Sequence, residues 1–155
     1  MPQQLREILR GGMMLNLENI VIEEAIEHIK IKRMNNIERF DQNYKKAANL
    51  IESGKYIDAN KLTQEDVLGY YSVYADAEEK EKAGKLDDAA ELYWKNIYVN
   101  GTDAPANFNR LLIVLKKLGR LSDELKVAEI YLNFVKDTEY PKIEKRIKSL
   151  KATIF

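Results

Sequence analysis

Three turns of one pattern restrict this chain more than anything else in it. Gly54-Lys55-Tyr56-Ile57-Asp58-Ala59, Gly84-Lys85-Leu86-Asp87-Asp88-Ala89 and Gly119-Arg120-Leu121-Ser122-Asp123-Glu124 each run glycine, basic, apolar, then residues suited to a helix start. They recur 30 and 35 residues apart. Glycine past the end of a helix supplies the left-handed residue that closes it. Between the turns apolar residues fall three and four apart rather than two, which is the helical period. A helix on each side of a turn, repeated at this interval, predicts an all-α array of antiparallel helix hairpins in which each unit buries its face against the next.

Punctuation divides the chain further. Pro2 to Arg10 reads as a short helix with Leu5, Ile8 and Leu9 on one side, stopped by Gly11-Gly12. A second helix runs from about Leu17 to Met34 through Ile20, Val21, Ala25, Ile29 and Ile31. Asn35-Asn36 breaks it, and a third carries Ile37, Phe40, Tyr44, Ala47, Ala48 and Ile51 to Gly54. A short piece, Ile57 to Leu62, precedes Thr63-Gln64-Glu65-Asp66, which resembles a capping box opening a long helix to Ala83. Gly69 inside that helix predicts close packing. Asp87 or Asp88 is the expected cap of the next helix, with Ala89, Ala90, Tyr93 and Ile97 as its stripe, ended by Asn100-Gly101. Pro105 opens a helix to Leu118 and Ser122 caps one to about Val135. Pro141 opens the last, with Ile143, Ile147 and Leu150 on one side. Eight or nine helices are expected, in one domain over 1–155: an N-terminal helical region (1–35), hairpins (36–135) and a capping helix (140–155).

The segment Ala83-Gly84-Lys85-Leu86-Asp87-Asp88-Ala89-Ala90-Glu91-Leu92-Tyr93 resembles the turn and second helix of a tetratricopeptide repeat. The resemblance extends over two units at about 70–135 and a weaker one at about 40–62. It departs from the pattern at Asp76, where a large apolar residue is usual, and at Glu124, where a small alanine is usual. It implies a right-handed superhelix whose first helices line a concave groove. The positions facing that groove are near Tyr44, Ala48, Tyr71, Tyr74, Glu78, Asn109, Arg110 and Ile113. Tyr44, Tyr71, Tyr74, Asn109 and Arg110 are accordingly the candidate partner-binding residues. Some members of the family clamp a partner's terminal carboxylate; at the matching positions Tyr44, Ala48, Ala75, Ala106 and Arg110 only the arginine fits, so no such clamp is expected. Trp94 and Tyr98, four apart on a second helix, form a secondary interface candidate, covered by the Pro141 helix or by another subunit.

Composition narrows the chemistry. With no cysteine and one histidine in 155 residues, disulfides, thiolate chemistry and multi-histidine metal sites drop out. Glu24 and His28 are one helical turn apart, but no nucleophile stands at a recognised spacing, so a solvated pair is the expectation and no enzyme is predicted. Asp76 to Glu91 holds seven acids and three lysines, the mixture of a solvated helix face, and lacks the spacing of a calcium loop. Basic residues concentrate at 30–46 and 142–151, each with a net charge of +4. They define an alternative, a nucleic-acid-associated regulator, without any motif to accompany it. Asn100-Gly101-Thr102 matches a glycosylation acceptor but reads as turn chemistry. The first residues lack a secretory pattern and no apolar run approaches a membrane span, so a cytoplasmic protein is expected. Together these readings predict a non-catalytic scaffold binding a protein or peptide segment, with no cofactor and no metal. A homodimer is one way for a short array to cover its apolar ends.

Overall fold

The three glycine turns fold alike. In the computed structural model, which describes residues 15–155 and, within 65–70, the backbone alone, Gly54, Gly84 and Gly119 take φ of 78°, 77° and 71°. The amide after each donates to the carbonyl five residues back: Lys55 to Leu50 at 2.8 Å, Lys85 to Lys80 at 2.9 Å and Arg120 to Leu115 at 3.0 Å. This closure satisfies carbonyls that the helix end leaves free. Each basic residue then has φ near −90° and ψ between 63° and 69°. Its carbonyl accepts the first bond of the next helix, from Ala59, Ala89 or Glu124. Helices therefore begin at the apolar residue, and neither Asp87, Asp88 nor Ser122 is a cap. Asp87 and Asp88 occupy the first turn of their helix, where carboxylates favour the exposed amide end.

Six helices result among the described residues: α1 Ile22–Glu52, α2 Tyr56–Lys82, α3 Leu86–Tyr98, α4 Pro105–Lys117, α5 Leu121–Tyr131 and α6 Tyr140–Ile154, with no strand. Each packs on the next, and α1 also folds back onto α3 and α5. The expected helix at Pro2–Arg10, its stop at Gly11-Gly12 and the packing at Gly69 lie outside what is described.

Two expected helix ends are absent, each for a visible reason. Asn35-Asn36 lies inside the continuous 31-residue α1. Asn36 is buried, and its Nδ2 donates to the carbonyls of Asn100 at 2.8 Å and Gly101 at 3.2 Å, so a residue read as a breaker anchors a distant loop. Thr63 lies inside the 27-residue α2, and its hydroxyl donates back to the carbonyls of Ala59 and Asn60 rather than capping a new start. The second helix of the first hairpin and the first helix of the next are thereby one rod. The expected second helix also starts later, at Ile22. Leu15, Leu17 and Ile20 precede it in non-helical chain and are buried. Lys126 Nζ donates to the carbonyls of Leu17 at 2.8 Å, Glu18 at 3.2 Å and Ile20 at 2.9 Å, and Arg120 holds that of Leu15.

The core lies among α3, α4, α5 and the first half of α1. Tyr93, Trp94, Phe108, Leu111, Leu112, Leu115 and Ile130 meet Ile29 there, all without solvent exposure or nearly so. Each such side chain contributes about 2 kcal/mol by burial. Phe108 stacks on Tyr131 with ring centres 4.4 Å apart. Helix α6 covers the last hairpin with Ile143, Ile147 and Leu150. It also explains how Glu124 is buried: the carboxylate is 2% exposed and accepts from Arg146 Nε of α6 at 2.8 Å.

Candidate binding groove

Where α2 leaves α1 to pack on α3, a cleft of about 660 Å³ remains between Ile37 and Phe40 of α1, Tyr71 and Tyr74 of α2, and the loop from Gly101 to Ala104 leading into α4. Clefts of this volume with apolar walls and few polar groups are the usual shape of a recognition site. The loop wall is fixed from α1. Gly101 has φ of 65°, and a Cβ placed there would lie 2.7 Å from Lys32 Cβ, so backbone and helix touch directly. Asn36 holds two of the loop's carbonyls from the same helix. Arg33 adds a bond to the Thr102 carbonyl at 3.3 Å and lies 4.5 Å from the centre of the Phe134 ring. Burial lowers the Arg33 pKa from its ordinary value, with Asp103 pulling the other way. An arginine remains cationic through such a change.

Behind the tyrosines runs a polar network. Tyr93 donates its hydroxyl to Glu81 Oε1 at 2.9 Å, and Arg110 reaches the same carboxylate through Nε at 3.1 Å and through Nη2. Burial opposes the charge on Glu81, but the hydrogen bonds from Arg110 and Tyr93 outweigh it and hold the carboxyl below its ordinary range. Burial, then the bond to Glu81, pushes the Tyr93 phenol well up. Tyr74 packs against the Tyr93 ring at 5.8 Å, and its own pKa is raised by burial and by Glu78. Both phenols are neutral hydrogen-bond donors at neutral pH.

The five candidate residues therefore separate. Tyr71 and Tyr74 line the cleft together. Tyr44 lies seven residues from Ile37 on α1, on the same face and 64% exposed, further out along the groove. Asn109 is exposed on α4 outside the cleft, and Arg110 is engaged by Glu81 rather than free to receive an anion. Sequence reasoning missed Arg33, Asn36, Ile37, Phe40 and the loop. The signal for two of them was available in the seven-residue spacing of Ile37, Tyr44 and Ile51 with Phe40 between, which the supposed break at Asn36 obscured.

Trp94 and Tyr98 are not an interface. Trp94 has no exposure and Tyr98 has 6%, and their rings stack 5.2 Å apart inside the core. Helix α1, rather than the Pro141 helix or another subunit, covers them: His28 stacks on Tyr98 at 4.1 Å and donates from Nε2 to its backbone carbonyl at 2.9 Å. His28 is thus a half-buried packing residue instead of a solvated partner of Glu24. Three basic residues of α6 come together with one of α4: Lys142, Lys145 and Arg146 line a second cleft with Lys116. Lys32, Arg39 and Lys46 share one side of α1 by their spacing while Arg33 turns into the cleft; on α6, Arg146 is held by Glu124 and Lys151 by Glu129 at 3.5 Å. Among the described residues no three His, Cys, Asp or Glu side chains are grouped to hold a metal, and no helix is long and apolar enough to cross a membrane. No protein-family model, curated protein or solved structure matches the chain.

Proposed function

We infer that this chain is a non-catalytic scaffold of tetratricopeptide-like hairpins that binds a protein or peptide segment along the α1–α2 groove. One observation carries the reading: Ile37 and Tyr71, at 65% and 68% exposure, both line one preformed cleft, with the Gly101 to Ala104 loop as a further wall. Water gains by leaving such a surface, and tyrosine gives contact area at low entropy cost. The cleft admits an apolar side chain of a partner, while the exposed Asp103 side chain offers a carboxylate at its edge.

Capture from the native lysate tests this. Purified wild type is compared with an Ile37→Ala, Tyr71→Ala variant, both positions being exposed enough that helicity by circular dichroism stays unchanged. A partner retained by the wild type and reduced at least about tenfold by the variant supports the groove. Equal retention by both forms refutes it.

A further inference from the structure

The hairpin formed by α1 and α2 outruns the rest of the molecule. At 1.5 Å per residue α1 is about 46 Å long, against about 20 Å for α3. Over the outer part, residues 37–64, only Ala47 and Ala59 are buried. Two alanines are little apolar contact for an arm of this length, since helices in proteins are stabilised chiefly by a packed face. Yet the arm is not short of apolar side chains. Ile37, Tyr44, Ile51, Tyr56 and Ile57, with Tyr71 beside them, are all between about half and three-quarters exposed.

Their arrangement names the occupant. Ile37, Tyr44 and Ile51 recur every seven residues, the interval that keeps a seam facing a partner helix. The seam reads the same in both directions, isoleucine, tyrosine, isoleucine. Turned end for end about Tyr44 it also sets large Phe40 against small Ala48, a complement of bulk and space. Asp41 and Lys45 flank Tyr44, and the same rotation brings each Asp41 towards the partner's Lys45. Five basic and four acidic residues over 37–64 leave the arm almost neutral, so two copies do not repel. Six side chains of about 200 Å² each, exposed to this degree, offer roughly 750 Å² per copy, close to the ~800 Å² per partner of a standard specific interface.

We propose that two copies of this chain associate through antiparallel α1–α2 arms about a two-fold axis at Tyr44, placing Ile37 against the partner's Ile51. The interface is isologous. It carries the tip of each arm, Tyr56 and Ile57, to the mouth of the other copy's cleft beside Ile37 and Tyr71. The proposal rests on the groove being a protein-binding face and identifies what it takes.

Sedimentation equilibrium of the whole chain from micromolar to millimolar concentration tests it first, with a rise from the 18.0 kDa of one chain towards twice that mass expected. Tyr44→Glu and Tyr44→Lys should each weaken self-association about 30-fold, as a residue at an interface centre does, and an equimolar mixture of the two should restore it. The chain has no cysteine, so Tyr44→Cys gives a reading without added charge. Mild oxidation should link two copies covalently through residue 44, whereas Lys148→Cys on α6, with the same interface intact, should give no cross-linked pair. A wild type that stays at one chain's mass, a dimer unmoved by Tyr44→Glu and Tyr44→Lys, or Tyr44→Cys that does not cross-link overturns the proposal. A monomeric wild type would leave the groove reading to the capture experiment, in which a foreign partner lost with Tyr71 still upholds it.

Discussion

Replacing Gly101 by alanine tests whether the loop wall of the cleft is set by contact with α1. Gly119→Ala is its control, because both glycines sit at positive φ and both substitutions carry the left-handed penalty of about 1–2 kcal/mol. At Gly119 the new methyl meets nothing within 4 Å, so the loss stops there. At Gly101 it would lie 2.7 Å from Lys32 Cβ and 3.1 Å from both the Lys32 carbonyl carbon and Asn36 Nδ2. The first two belong to a helix that cannot swing aside, so overpacking adds about 1–3 kcal/mol. Displacing the loop also stretches the two bonds from Asn36, each worth about 1 kcal/mol when intact, which together lose about 0.5 kcal/mol. The expected losses are about 4 kcal/mol for Gly101→Ala and about 1.5 kcal/mol for Gly119→Ala. In a chain of this size they correspond to melting temperatures lower by about 12 °C and about 4 °C. Thermal and urea unfolding followed by far-ultraviolet circular dichroism read both. Equal losses at the two glycines would refute the reasoning, since they would mean that the loop is not seated on α1.

Two further outcomes follow from the buried charges. Arg146→Ala strands the Glu124 carboxylate in the interior and should cost about 3 kcal/mol, whereas the double variant Glu124→Ala, Arg146→Ala should be less destabilised than Arg146→Ala alone; urea midpoints that rank them the other way contradict the pairing. Glu81 has a lowered pKa in the folded state, so its stabilisation is present above the unfolded carboxylate value and is lost as pH falls through the folded one. Glu81→Gln should cost about 1 kcal/mol at neutral pH, a modest figure because Arg110 is 37% exposed. Its deficit should narrow on acidification below the ordinary carboxylate range; parallel stability curves for the two proteins would contradict this.

What was legible in the sequence follows the distance over which each feature is decided. The glycine turns were legible because a bond between Lys55 and Leu50, or between Arg120 and Leu115, is local chemistry. The fate of Asn36 was not, because the carbonyls that receive its amide lie 64 and 65 residues away, and without them an Asn-Asn pair does read as a break. Thr63 was misread for a smaller reason: a threonine hydroxyl can cap a helix or bond back within one, and the four residues around it look alike in both cases. Trp94 and Tyr98 carried the composition of an interface, yet the ring that covers them comes from His28, 70 residues earlier than Tyr98. Glu124 was visible only as a departure from the repeat pattern, and the partner that lets it be buried lies on α6. In the groove, Tyr71 and Tyr74 were reached through the repeat resemblance, while Asn36 and the Gly101 loop become neighbours only when α1 folds back across α3.

The central claim, that the α1–α2 groove is the face that meets another protein, is tested most directly by a photoreactive benzoylphenylalanine at position 71, compared with the same group at position 148 on α6. Irradiation in native lysate should give a discrete protein adduct from position 71 and none from position 148, and its mass reports whether the captured chain is a second copy or a different protein. An adduct from position 148 alone, or the absence of one from position 71, would contradict the claim.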